Sequence, residues 1–192
     1  MAELYQRRSA LAHLALALRQ EPRPETGIRL LEGPRRIILA MRGEGVSFGE
    51  AVRGATGLAL PAANRVMRGG ERYLFWMGPN EYWLIAAEAE RDVLQASLTG
   101  AFAPLFAAVT DISESRTLMV LTGARAREVL ARGISLDLDP RRFAVDDCAQ
   151  TSFARVNVLL HRMAGEEFHL TVLNSYADYL WRLLERIIAI LP

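Results

Sequence analysis

The chain has 192 residues, 51% hydrophobic and 23% charged, so it can bury a sizeable core and is not disordered as a whole. Twenty-three basic and 22 acidic side chains leave a formal net charge of +1, which argues against a broad electrostatic footprint for nucleic acid or an anionic membrane. Apart from the histidines all 23 basic residues are arginine, so a lysine Schiff base and a lysine phosphate cradle are excluded; the pattern reflects either a coding bias toward arginine, the simpler reading, or bidentate carboxylate pairing as at subunit interfaces.

The N-terminal segment, residues 1–24, is expected to be a helix over Ala2–Gln20 followed by a proline-rich link. Leu11, Leu14, Ala15 and Leu18 recur at helical spacing and form one apolar stripe, and Glu21-Pro22-Arg23-Pro24 stops the helix. Arg7-Arg8 before Ala10–Leu18 loosely mimics a short signal peptide. His13 inside the run and Glu3 before it point instead to an exposed or docking helix of a cytoplasmic protein. The stripe has two readings, folding back on the chain's own core or lying on a partner, and the sequence leaves both open.

Residues 25–192 read as a single α+β domain. Ile28–Leu31 and Arg36–Met41 are expected strands around the turn Glu32-Gly33-Pro34. Gly43-Glu44-Gly45-Val46-Ser47-Phe48-Gly49 superficially resembles a dinucleotide loop, but the third glycine is misplaced and no βαβ unit surrounds it. It reads as a turn into a short helix, Phe48–Thr56, closed by Gly57. Leu60-Pro61 opens a loop and Arg68-Gly69-Gly70 a turn. Tyr73–Met77 and Tyr82–Ala86 are strands joined by the strong turn Gly78-Pro79-Asn80-Glu81. Glu90–Phe102 is a helix with Leu94, Leu98, Ala101, Phe102 and Leu105 on one face.

Ala108–Asp111 and Arg116–Leu121 are extended, and Gly123 opens a short helix with Ala126, Val129 and Leu130 inward. Gly133 is expected to end it in a left-handed conformation. Leu136–Asp147 reads as a surface loop, Cys148–Leu160 as one extended run, and His161–Glu166 as the turn into Glu167–Leu173. The last helix is the clearest, with Ser175 as cap, Asp178 as its capping-box partner, and Tyr176, Leu180, Leu183, Leu184, Ile187 and Ile188 as the buried stripe. Hairpins among crossovers imply mixed, mostly antiparallel sheets with helices on one side, nearer to ferredoxin-like units than to a doubly wound sheet.

Candidate chemistry is sparse. His161 and His169 flank one hairpin, and Glu166 or Glu167 is the available third metal ligand, although ordinary hairpin residues explain the pattern. Cys148, the single cysteine, sits beside Asp146 and Asp147 and reads as structural; no intrachain disulfide and no thiolate zinc cluster can form. Asp111 is the most interesting carboxylate. Its functional role would be a general base or amine anchor, and its structural role a turn-forming hydrogen bond to nearby amides. Trp76, Trp83 and Trp181, with Tyr73, Phe75 and Tyr82, form either a stacking platform for a flat ligand or a packing and docking surface. The packing reading makes Leu11, Leu14, Leu18, Trp76 and Trp83 the candidate interface residues, with no catalytic, cofactor or metal residue assigned.

Several phrases together resemble the gamma subunit of heterotetrameric sarcosine oxidase. They are Leu60-Pro61-x-x-Asn64, Trp76-x-Gly78-Pro79-Asn80-Glu81-Tyr82-Trp83-Leu84-Ile85 and Val109-Thr110-Asp111-Ile112-Ser113. Leu121-Thr122-Gly123-x-x-Ala126-x-x-Val129-Leu130, Leu136-Asp137-Leu138, Cys148-Ala149-Gln150-Thr151 and Tyr179-Leu180-Trp181 complete the set, in order from about Ser9 onward. The resemblance implies the fold of the folate-binding aminomethyltransferases. It implies a small non-catalytic subunit in a cytoplasmic complex that oxidatively demethylates sarcosine and passes the one-carbon unit to tetrahydrofolate. Flavins, NAD, zinc and folate would then sit on the partner subunits and none on this chain. The alternative is a freestanding folate-binding or one-carbon-transfer protein. No motif maps Asp111 onto the aspartate anchor of the folate-utilising relatives.

Overall fold

A computed structural model describes residues 8–14 and 27–191. Among these residues ten strands form two five-stranded sheets, and every pairing between them is antiparallel. The first sheet has the order β3-β4-β5-β2-β6, from β2 (Arg36–Arg42), β3 (Val66–Gly69), β4 (Arg72–Gly78), β5 (Glu81–Ala87) and β6 (Ala108–Asp111). The second has the order β1-β7-β10-β9-β8, from β1 (Arg29–Glu32), β7 (Arg116–Thr122), β8 (Cys148–Phe153), β9 (Val156–Ala164) and β10 (Glu167–Leu173).

Each sheet buries one face under helices. In the first, Ile37, Leu39 and Met41 of β2, Leu74 of β4, and Leu84 and Ala86 of β5 point the same way because strand side chains alternate. Against them lie Phe48 and Val52 of α1 (Gly45–Thr56) and Leu94, Leu98 and Phe102 of α2 (Arg91–Phe102). Gly57 closes α1 at φ 77°, in the left-handed region.

In the second sheet, Met119 and Leu121, Val158 and Leu160, and Phe168, Leu170 and Val172 form the covered face. They meet α3 (Ala126–Ala131) and the buried stripe Ala177, Leu180, Trp181, Leu184, Ile187 and Ile188 of α4 (Asn174–Ala189). A single 3-10 turn, Ala12–Leu14, docks on this unit with Leu11 and Leu14 buried, and His13 Nε2 lies 2.7 Å from Asp178 Oδ1. The N-terminal stripe therefore folds back at Leu11 and Leu14, where a 3-10 turn replaces the expected α-helix; residues 1–7 and 15–26, with Leu18 and the proline-rich link, lie outside the described residues.

Several expectations are corrected. Glu32-Gly33-Pro34 does not turn a hairpin: β1 and β2 belong to different sheets, and this segment carries the chain between them. Val66–Gly69, expected as loop and turn, is edge strand β3 paired with β4. The run 148–160 is two strands, because Phe153 pairs with Val156 around a two-residue loop in which Ala154 adopts φ 52°. His161 is no turn residue but lies inside β9, paired directly with His169.

Gly133 is absent from the left-handed region; a Cβ there would stand 2.5 Å from the buried Phe153 ring, so close approach requires the glycine. Leu138 and Phe143, inside the expected surface loop, reach the second core. Helix α4 begins at Asn174 without a side-chain cap; Asn174 Nδ2 donates to the Glu114 carbonyl, and Asp178 pairs with Arg182 and His13. Tyr176 is exposed and Ala177 with Trp181 takes its place in the stripe.

Candidate functional site

The uncovered faces of the two sheets look at each other. Along one side they are closed by a third apolar cluster, in which Val66, Phe75 and Met77 of the first sheet meet Cys148 and Leu159 of the second. Backbone bonds fasten this side: Val66 N donates to the Asp146 carbonyl at 2.8 Å and Cys148 N to the Asn64 carbonyl at 2.9 Å. Elsewhere the sheets part around a cleft of about 330 Å³, a volume at the small end of ligand pockets.

Strand alternation decides which residues line the cleft. Tyr73 and Phe75 of β4, Ile38 of β2 and Ile85 of β5 form one wall, and Leu118, Val120, His161, His169 and Thr171 form the other. The rim carries Glu32, Arg35, Arg36, Arg91, Glu114 and Arg116. Arg35 donates to Glu114 Oε1 at 3.0 Å, Arg36 to Glu71 Oε2 at 3.2 Å, and Arg91 pairs with Asp111. Arg116 stacks over the Trp83 ring, 5.2 Å from its centroid, a cation–π contact. Burial lowers the pKa of Arg116 from its usual value.

The sequence candidates fall in different places. His161 and His169 do approach, with ring centroids 5.8 Å apart and planes perpendicular. His161 is buried, against the edge of Phe75, and burial followed by the nearby His169 and Arg68 lowers its pKa to about 3, so it is neutral. Among the described residues its Nε2 has no hydrogen-bond partner, and it stands 3.6 Å from Asp146 Oδ1. Burial also lowers the pKa of His169, and Glu167, 2.8 Å from its Nε2, offsets part of that. Glu166 pairs instead with Arg127. Among the described residues no three His, Cys, Asp or Glu side chains gather as metal ligands.

Cys148 is buried, and burial pushes its thiol up to about 12, too high for a thiolate nucleophile at neutral pH. Asp111 is likewise engaged in structure. Burial raises its pKa, but the hydroxyl and amide of Ser113 and the Arg91 guanidinium outweigh burial and leave it lowered. Its Oδ1 accepts the Ser113 amide at 2.9 Å, which is a turn-forming role. Trp76 and Trp83 do not form one surface. Trp76 pairs with Tyr82 and Phe75 with Trp83, so the two indoles lie on opposite faces of the first sheet, each half-buried. Trp181 is buried in the second core. The importance of Arg116 escapes sequence reading: one arginine at the first position of a strand carries no local signal, and only the pairing of β7 with β10 brings it to the cleft.

Comparison with known proteins decides the family. The model of the sarcosine oxidase gamma subunit family matches residues 42–189. The gamma subunit of sarcosine oxidase from Corynebacterium sp. strain U-96 is 34% identical over 177 residues, covering 90% of this chain and 85% of that one. This chain belongs to the sarcosine oxidase gamma subunit family. A second gamma subunit, from Corynebacterium sp. strain P-1, is 31% identical over 90% of this chain and 85% of its own. A chain of the heterotetrameric sarcosine oxidase of Corynebacterium sp. U-96, solved in complex with pyrrole 2-carboxylate, superposes with TM-score 0.87 at 31% identity, covering 95% of each chain. The glycine cleavage aminomethyltransferase T of Bartonella henselae superposes with TM-score 0.61 at 17% identity, covering 91% of this chain and 48% of that one, and thus shares the fold. The sarcosine oxidase gamma family and the α+β class with helix-covered sheets are both borne out, and the sheets, expected to be mixed and mostly antiparallel, are antiparallel at every described pairing.

Proposed function

We propose that this gamma-family chain is the small, non-catalytic subunit of a cytoplasmic sarcosine oxidase complex, packed against the other subunits and carrying no flavin, NAD, zinc or folate of its own. The observation that carries this reading is the superposition, over 95% of both chains, on a chain of a heterotetrameric sarcosine oxidase. The state of the candidate reactive groups supports it: Asp111 is held by Arg91 and Ser113, Cys148 is a buried neutral thiol, and His161 is a buried neutral imidazole. No helix among the described residues is long and apolar enough to cross a membrane.

For the docking surface the reading favours one end of the first sheet. Phe106 is fully exposed and Val46 79% exposed. Ala108, two residues after Phe106, pairs with Arg42, and Gly43 N donates to the Asn80 carbonyl at 3.0 Å, so the start of α1 at Val46, the loop of Phe106 and the 78–81 turn gather together. A large apolar side chain left wholly in water is the kind of anchor that a partner subunit buries. Trp76, half-exposed on β4, remains a candidate contact, whereas Leu11 and Leu14 spend their side chains on the chain's own core.

The test is the purified chain by itself. It is expected to oxidise no sarcosine and to retain no flavin or NAD through gel filtration. Turnover or a stoichiometric flavin on the isolated chain contradicts a non-catalytic role.

A further inference from the structure

We propose that the cleft between the two sheets is a binding site for a small planar organic monocarboxylate, with the Arg116 guanidinium holding the carboxylate. The starting point is an asymmetry among the cleft arginines. Arg35, Arg36 and Arg91 each meet a carboxylate, from Glu114, Glu71 and Asp111. Arg116 meets none among the described residues. Its contacts are the Trp83 face and a long hydrogen bond, 3.5 Å, to the Ser115 carbonyl. Stacking on an indole fixes the guanidinium plane and leaves its in-plane donors available, the geometry in which arginine binds a carboxylate through two parallel hydrogen bonds. A partly desolvated cation without an anion is costly, and a bound carboxylate offsets that cost.

The walls set the rest of the ligand. Tyr73, Phe75, Ile38, Ile85, Leu118 and Val120 make the interior apolar and partly aromatic. A volume of about 330 Å³ takes a single ring with a short substituent. Thr171 and His169 supply the polar groups deeper in the second sheet's wall. The lining carries Arg8, Arg35, Arg36, Arg91 and Arg116 against Glu32, Glu114 and Glu167; with Arg35, Arg36 and Arg91 each already meeting a carboxylate, one negative charge is enough to match Arg116. This site goes beyond the subunit role and does not depend on where the partner subunits dock.

Benzoate is a suitable probe, with benzyl alcohol as its neutral counterpart and phenyl phosphate as the dianion. The full chain, purified with whatever subunits accompany it on co-expression, is titrated by calorimetry and by ligand-observed saturation-transfer NMR. Because other subunits can bind carboxylates, the readout is the difference made by substitutions in this chain. Arg116→Met is expected to remove one benzoate site or weaken it tenfold to about a hundredfold, the usual contribution of a charged hydrogen bond. Arg116→Lys is expected to weaken it less. Val120→Phe, which fills the cleft without touching Arg116, is expected to abolish the same site and covers the case in which Arg116→Met does not fold. Benzoate binding that is unchanged by both Arg116→Met and Val120→Phe overturns the proposal. So does benzyl alcohol or phenyl phosphate binding as tightly as benzoate, or no benzoate site tighter than about 10 mM.

Discussion

Replacing Gly123 with alanine is expected to destabilise the chain by about 3–4 kcal/mol, more than any surface change. Two independent costs add. Gly123 follows β7 at φ 126°, a conformation that residues with a Cβ rarely adopt. A Cβ built there would also overlap the backbone carbonyl oxygen of Gly27, which cannot rotate away as a side-chain tip does. Gly123 N is itself fixed by the Glu166 carbonyl at 3.2 Å. The contact is tight because the chain enters β1 from Gly27 beside the exit of β7, and Arg29 pairs with Thr122. Urea denaturation measures the loss. Gly54, exposed on α1 with open space around its Cα, is the control, and Gly54→Ala is expected to be neutral or slightly stabilising. Equal effects at the two sites contradict the account.

His161→Phe is expected to make the fold more resistant to acid. The imidazole is buried between the sheets, 5.1 Å from the Phe75 ring centroid. Burial first, then the fields of His169 and Arg68, bring its pKa from 6.5 to about 3. Asp146, the nearby carboxylate, is itself paired with Arg68 at 3.1 Å. In the unfolded chain His161 takes up a proton below pH about 6.5, and in the folded chain only below about 3. The unfolded state therefore binds more protons in that window. The stability linked to this residue is complete above about 6.5 and declines as pH falls through the window, by roughly 1.4 kcal/mol per pH unit. At pH 5 the deficit is about 2 kcal/mol, and phenylalanine, which keeps the aromatic contact and does not titrate, removes it. Denaturation curves of the two proteins are expected to coincide within about 1 kcal/mol at pH 7.5 and to separate by about 2 kcal/mol at pH 5. Curves that stay parallel across this range contradict a buried neutral His161.

The elements legible in the sequence were those with local causes. The apolar runs in Arg36–Met41 and Tyr82–Ala86, the left-handed Gly57 and the period of the last helix each announce themselves within a few residues. The hairpin at Ala154 did not, because a non-glycine residue in the left-handed region is held there by strand pairing rather than by turn chemistry. Gly133 carried the right residue for another reason: Phe153, twenty positions on, occupies the space where a side chain would go. The phase of α4 slipped at its start because Tyr176 looks apolar while Ala177 looks indifferent, and only the neighbouring core shows which is buried. Membership of the two sheets was illegible for the same reason. Nothing near Glu32-Gly33-Pro34 says that the next strand joins a different sheet.

The site divides along the same line. That His161 and His169 approach was readable from the hairpin, since cross-strand partners need only a short turn. That Arg116 and Tyr73 line one cleft with them, with Trp83 under the Arg116 guanidinium, was not, because it depends on β7 joining β10, on β4 joining β5, and on the two sheets facing one another. Asp111 resolved toward its turn role only once Arg91, twenty residues earlier, was seen to close on it.

The proposed role, a fixed member of an oxidase assembly docked through the end of the first sheet, is tested by native mass spectrometry of the chain co-expressed with the other three sarcosine oxidase subunits. One copy of this chain is expected in each assembly, and Phe106→Asp is expected to remove the chain from it, since an anchor of this kind contributes about 2 kcal/mol or more. Recovery of the chain free of the other subunits, or an assembly that forms equally well with Phe106→Asp, would contradict it.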